Sequence, residues 1–188
     1  MKFDIAIIAT LLAFIGNVPY LIDIAKKRVQ PHPYTWFIWT LVSATIFFGQ
    51  VAKGAGIGAL PTAASEIFTL IIFLFSLQYG FKHIVKSDTY FLAAAIFGIF
   101  LWYWTKDPTA SVIIAVTIDF VAFIPTLRKT WRFPKTETPL LYSMNALRHV
   151  LSLFSIRIYN IATVLHSVVM IITNIFMTLL IMIPRKKR

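Results

Sequence analysis

The chain has 188 residues, 59% of them hydrophobic and 13% charged, with 18 Lys and Arg against 7 Asp and Glu for a net charge of +11. A soluble domain of this length cannot bury so much apolar surface. Cysteine is absent, which excludes disulfides, thiol nucleophiles, iron–sulfur clusters and thiolate zinc sites, and no cofactor is implied.

Apolar runs of about 17 to 25 residues read as transmembrane helices, and the sequence contains seven. The first, 5–24, follows Lys2 but does not read as a signal peptide. It contains Pro19 and ends in Lys26, Lys27 and Arg28 rather than at a small-residue cleavage site. The second, 34–51, begins behind Pro33 and carries Trp36, Trp39, Val42, Ser43, Ile46 and Gln50 along one face. The third, 61–80, carries Thr62, Ser65, Glu66 and Thr69 at helical spacing. The fourth, 90–104, ends in Trp102 and Trp104, which read as an interfacial belt. The fifth, 111–127, holds Asp119 near its middle and Pro125 near its end. The sixth, 140–156, places Asn145, Arg148, His149 and Ser152 on one face. The seventh, 159–183, carries Thr163, His166, Ser167 and Asn174, and a basic tail, 184–188, follows.

The connections are short and their charges are uneven. One side receives Lys26, Lys27, Arg28, Lys82, Lys86, Arg128, Lys129, Arg132, Lys135 and the four basic residues of the tail. The other receives Lys2, Lys53, Lys106 and Arg157. By the positive-inside rule the N-terminus lies outside and the C-terminus in the cytoplasm of a multi-pass protein of the cell inner (plasma) membrane. This split assigns the charge to topology and to anionic lipid headgroups, with no role for nucleic acid. His32 and His83 fall in the cytoplasmic loops and are expected to be solvated.

Residues 7–49 and 113–155 align at a constant offset of 106 without a gap. Nine columns of 43 are identical, among them Phe14 with Phe120, Pro19 with Pro125, Leu21 with Leu127 and Pro33 with Pro139. A three-helix unit ends on the face opposite its start, so a directly fused copy would be inverted. The fourth helix crosses once more and makes the repeat parallel. The expected fold is all-α, with a first three-helix unit at 3–80, a linker helix at 81–108 and a second unit at 109–183, in one membrane domain. Seven helices complete the repeat pair, so a monomer suffices and a homo-oligomer is allowed.

This 3+1+3 layout, with Val18-Pro19-Tyr20-Leu21 and Ile124-Pro125-Thr126-Leu127 near the inner ends of helices 1 and 5, resembles the SWEET and PQ-loop (MtN3-like) superfamily of membrane transporters. The basic loop followed by Pro33-Tyr34-Thr35-Trp36-Phe37-Ile38-Trp39 carries the same resemblance. Tyr20 and Thr126 stand where that family has glutamine, and Asn174 matches an asparagine it often places on its third helices. The resemblance implies a binding site near the membrane centre, between the two units.

Polar residues in hydrocarbon face protein or water and often mark function. Trp36, Trp39, Ser43, Asn145, Arg148, His149 and Asn174 are the expected solute-binding residues. Glu66, Asp119 and His166 are expected to handle protons or gating, with Asp119 able to pair with Arg148 and Glu66 with His166. The Ser and Thr positions also suit plain interhelical hydrogen bonds. Pro19 and Pro125 each remove a helical hydrogen bond and suit matched hinges. The expected function is transport of a small polar solute, sugar or amino-acid-like, by alternating access. A non-transporting receptor or assembly factor on the same fold is the alternative. No nucleophile motif or metal-ligand spacing points to an enzyme.

Overall fold

The structure, a computed structural model, describes residues 2–52, 60–105, 108–155 and 161–183. Among these there are seven α-helices and no strand: α1 (Lys2–Ala25), α2 (Pro33–Ala52), α3 (Leu60–Tyr79), α4 (Lys86–Trp104), α5 (Pro108–Arg132), α6 (Pro139–Ser155) and α7 (Ile161–Met182). Each expected apolar run coincides with one helix. Lys53, Lys106, Arg157 and the basic tail lie outside the described residues, as do the side chains of Lys2, Ile46, Gln50, Thr62, Ser152 and Thr163.

Local chemistry sets the helix ends. α2, α5 and α6 each begin at a proline, whose fixed φ suits the first helical position and whose missing N–H is not needed there. α1 stops where Lys27 turns left-handed at φ 57°. The Lys27 N–H donates to the Ile24 carbonyl and the Arg28 N–H to that of Asp23, both at 2.8 Å, a Schellman closure. α4 starts four residues earlier than its apolar run, because the Asp88 carboxylate accepts the Val85 N–H at 2.9 Å. α5 continues five residues beyond its apolar run, carrying Arg128, Lys129 and Arg132 on helix rather than in a loop.

The helices are not packed in chain order. α3 packs against both α1 and α2, and α7 against both α5 and α6. Across the molecule α1 packs on α6 and α2 on α5, while α4 lies against α5 and α2. Three glycines permit close approach. A Cβ on Gly16 would lie 3.0 Å from Met144 Cβ, and one on Gly98 would lie 2.6 Å from Ile118 Cγ1. One on Gly80 would lie 2.1 Å from the Pro31 carbonyl oxygen. Two apolar clusters form the core. One joins Tyr20, Ile24, Trp36, Ile72, Phe123, Leu141, Tyr142 and Met177, and the other Ile38, Val42, Ala95, Ile118 and Ala122. Trp102 packs inward on the second cluster, contrary to its expected place in an interfacial belt, while Trp104 is exposed.

Large apolar side chains also cover the outside. Leu11, Phe14, Ile67, Leu74, Phe97, Phe100, Ile172 and Phe176 all face outward. Among the described residues one helical stretch, Val164–Met182, is by itself long and apolar enough to cross a bilayer; Thr10–Ala25 and Ala63–Tyr79 are shorter apolar stretches.

Candidate functional site

Two polar layers are built into the helices. The first lies where α1 and α5 end and α2, α4 and α6 begin. The fully buried Asp88 carboxylate accepts from Arg128 Nε at 3.0 Å and Arg128 Nη2 at 2.6 Å, and His32 Nε2 lies 3.1 Å away. Arg128 Nη2 also donates to the His83 carbonyl at 2.7 Å. Beside this knot stands a second. Glu137 accepts from Tyr20 at 2.7 Å, from Tyr142 at 3.0 Å and from Lys129, whose ammonium also donates to the Gln30 carbonyl. Lys129 and Glu137 are both buried. Asp23 completes this end, accepting from Thr138 at 2.9 Å and pairing with Arg28 at 3.5 Å.

These knots revise two expectations. His32 is fully buried rather than solvated, and burial holds its pKa down at about 4 against the opposing pull of Asp88, so the ring is neutral near pH 7. His83 is half-buried and stacks on Phe133 with centroids 4.2 Å apart. Burial and the neighbouring Lys129, Lys82 and Arg128 hold its pKa below the ordinary value. Lys129, counted by the sequence among the basic residues of the cytoplasmic side, is fully buried. Burial lowers its pKa and Glu137 opposes that. The signal in the sequence was the lone acid. Asp23, Asp88 and Glu137 each stand in a strongly basic stretch, and each has taken a cation as partner.

Above this end lies an aromatic layer. Trp36 and Trp39 pack edge-on at 5.1 Å, Tyr20 meets Trp36 at 5.8 Å, and Phe123 meets Trp39 at 5.3 Å and Tyr142 at 6.2 Å. The Thr35 hydroxyl donates to the Ala122 carbonyl at 2.6 Å and accepts from Thr126 at 2.9 Å, tying α2 to α5 beside Pro125. Pro19 and Pro125 both lie inside continuous helices.

The second polar layer lies about 10 Å further along, one to two helical turns beyond Tyr142 on α6. Here α2, α3, α5, α6 and α7 each contribute. Ser43 donates to the Glu66 carboxylate and to the Trp39 carbonyl, the latter at 2.8 Å. Arg148 Nη1 donates to Ser65 Oγ. His166 Nε2 lies 3.2 Å from Asp119 Oδ2, and His149 meets the His166 ring edge-on at 5.3 Å.

Both expected pairs are therefore replaced. Asp119 pairs with His166, not Arg148, because α7 packs against both α5 and α6 and takes the facing position. Glu66 bonds Ser43, not His166, since α3 packs on α1 and α2 rather than on α7. Asn145 is half-buried on α6. Asn174 is buried two turns below His166, and its amide donates to the Met170 carbonyl of its own helix at 2.8 Å, so it stands apart from this layer. Several hydroxyls do the same: Thr69 of the third-helix stripe, and Thr40, Thr173 and Thr178, each donate to the carbonyl four residues back. Ser43, Ser65, Thr35 and Thr126 make the bonds between helices.

Compared with known proteins, the chain matches no family model, no curated protein and no solved structure.

Proposed function

We propose that the chain is a seven-span membrane transporter of a small polar solute, built from two parallel three-helix units joined by α4 in the SWEET-like manner. The solute occupies the Glu66, Asp119, Arg148, His149 and His166 layer, and the units rock to expose it to each side. The observation that carries this reading is the layer itself. Five ionisable side chains, drawn from four helices of both units, are linked in one layer within apolar helices, where charge is costly unless it serves a purpose.

The packing supports the repeat. Exchanging the units by the offset of 106 turns the α1–α6 contact into the α5–α2 contact. At residue level it turns Gly16 against Leu141 into Ala122 against Thr35, and both close approaches are present. The outward cover of large apolar side chains supports the bilayer, since a soluble monomer rarely exposes so much. The knots around Asp88 and Glu137, with the aromatic layer above them, close the basic end. The solute therefore enters from the other end in this conformation, and opening the basic end requires these knots to separate. Pro19 and Pro125 are the matched points at which α1 and α5 bend.

Reconstitution into proteoliposomes tests the reading, with uptake of radiolabelled sugars and amino acids followed in wild type and Asp119→Asn. Uptake of one class that Asp119→Asn abolishes or uncouples, with folded protein retained, is expected. No uptake of any solute by wild type, or identical uptake by the variant, sinks it. Since the chain lacks cysteine, single cysteines placed at Lys27 and Tyr103 check the topology. Impermeant thiol reagents should label them from opposite sides.

A further inference from the structure

Among the described residues Arg148 has no counter-charge of its own. Its Nη1 donates to the neutral Ser65 hydroxyl, and its Nε is buried without a partner. No ion pair to it is present among the described residues. The two carboxylates of the same layer are engaged elsewhere, Glu66 with the Ser43 hydroxyl and Asp119 with His166. By contrast, the three acids at the basic end are each paired with a cation. Among the described residues Asp23, Asp88, Glu137 and Asp119 each face a basic side chain, whereas Arg148, like Glu66, is met only by a neutral hydroxyl.

A guanidinium taken out of water without an anion is strongly disfavoured, and its five donors match a carboxylate through two parallel hydrogen bonds. A neutral hydroxyl could occupy the donors but would leave the charge uncompensated. His149 lies next to Arg148 and leads through the His166 ring to Asp119, so the open guanidinium forms one pole of the layer and the Asp119 carboxylate the other. Trp39 Nε1, one turn below Ser43, is a further buried N–H without a partner.

We propose that Arg148 is the binding residue for the carboxylate of an anionic or zwitterionic small solute, which completes the ion pair the protein leaves open. This rests on the reading of the layer as a solute site and names the class of solute.

The test uses acetate, a carboxylate small enough for any such site, with acetamide as its uncharged isostere. Purified protein in nanodiscs is melted while tryptophan fluorescence is followed, with sodium chloride holding ionic strength constant. Acetate is expected to raise the melting temperature of wild type saturably and acetamide not to. Arg148→Gln should abolish the acetate response. Arg148→Lys keeps the charge but not the two-pronged geometry, and should weaken half-saturation about tenfold, the equivalent of one charge-assisted hydrogen bond. Equal responses to acetate and acetamide in wild type overturn the proposal, as does an unchanged acetate response in Arg148→Gln. Should Arg148→Gln not fold, an unchanged half-saturation in Arg148→Lys overturns it equally. Proteoliposomes separate the two readings. Arg148-dependent acetate binding without acetate uptake upholds the site and defeats transport. Uptake of a neutral sugar unaffected by Arg148→Lys, with no acetate response in wild type, upholds transport and defeats the site.

Discussion

Lys129→Met removes the ammonium at the centre of the Glu137 knot while nearly preserving side-chain volume. Lys129 is fully buried and Glu137 is 4% exposed, so solvent cannot replace the lost partner. Removing one member of a buried ion pair costs about 3–5 kcal/mol, most of it from the charge left behind. Here the Tyr20 and Tyr142 hydroxyls still donate to Glu137 at 2.7 and 3.0 Å, which places the expected loss at the lower end, about 3 kcal/mol. In a chain of this size that lowers the melting temperature by about 6–12 °C. Glu137→Gln in the same background removes the stranded charge and leaves an amide that still accepts from a tyrosine. The double variant should therefore recover about 2 kcal/mol of the loss, a coupling measurable by a double-mutant cycle on thermal unfolding in detergent. Strict additivity of the two single losses would refute the pairing. An unchanged melting temperature for Lys129→Met would refute the burial.

Acid should destabilise the protein through His32. Its folded pKa of about 4 lies below the ordinary 6.5, so between those values the unfolded chain holds the extra proton. Stability that is full above pH 6.5 falls as pH drops toward 4, by up to about 3 kcal/mol. His32→Gln, whose amide can still donate to Asp88, should flatten the melting temperature across that range relative to wild type; a parallel curve would show that other groups are responsible. Gly80→Ala places a Cβ 2.1 Å from the Pro31 carbonyl and 2.7 Å from that of Ser76, neither of which is a flexible side-chain end. A loss of about 3 kcal/mol in unfolding free energy is expected, and a loss under 1 kcal/mol would mean the connection yields freely. Lys27→Gly relieves a left-handed residue worth about 1 kcal/mol but gives up a cation–π contact 5.9 Å from the Tyr79 ring. A net rise in melting temperature is expected, and a fall would rank the cation–π contact above the backbone.

The seven helices were legible in the sequence because a long apolar run, bounded by proline, glycine or charge, carries its own length and ends. The candidate polar residues were legible too, since ionisable groups stand out in so apolar a chain. Glu66, Asp119, Arg148, His149 and His166 do fall in one layer. Their partners were not legible. Asp119 and Arg148 lie at similar depth on consecutive helices, yet α7 packs against both helices and its His166 takes the Asp119 carboxylate. Depth follows from position along one helix, whereas pairing depends on which helices are neighbours and how each is rotated about its axis. The burial of His32 and of Lys129 was not legible for a related reason. A charged loop reads as solvated until the structure shows another segment covering it, and here Asp88 and Glu137 arrive from 56 and 8 residues away. The sequence by itself determined the helices, the offset of 106 between their two sets and the uneven distribution of charge. Only the tertiary structure decided which buried charges are paired, and that Arg148 meets no counter-charge among the described residues, because that balance depends on contacts between helices that no single segment encodes.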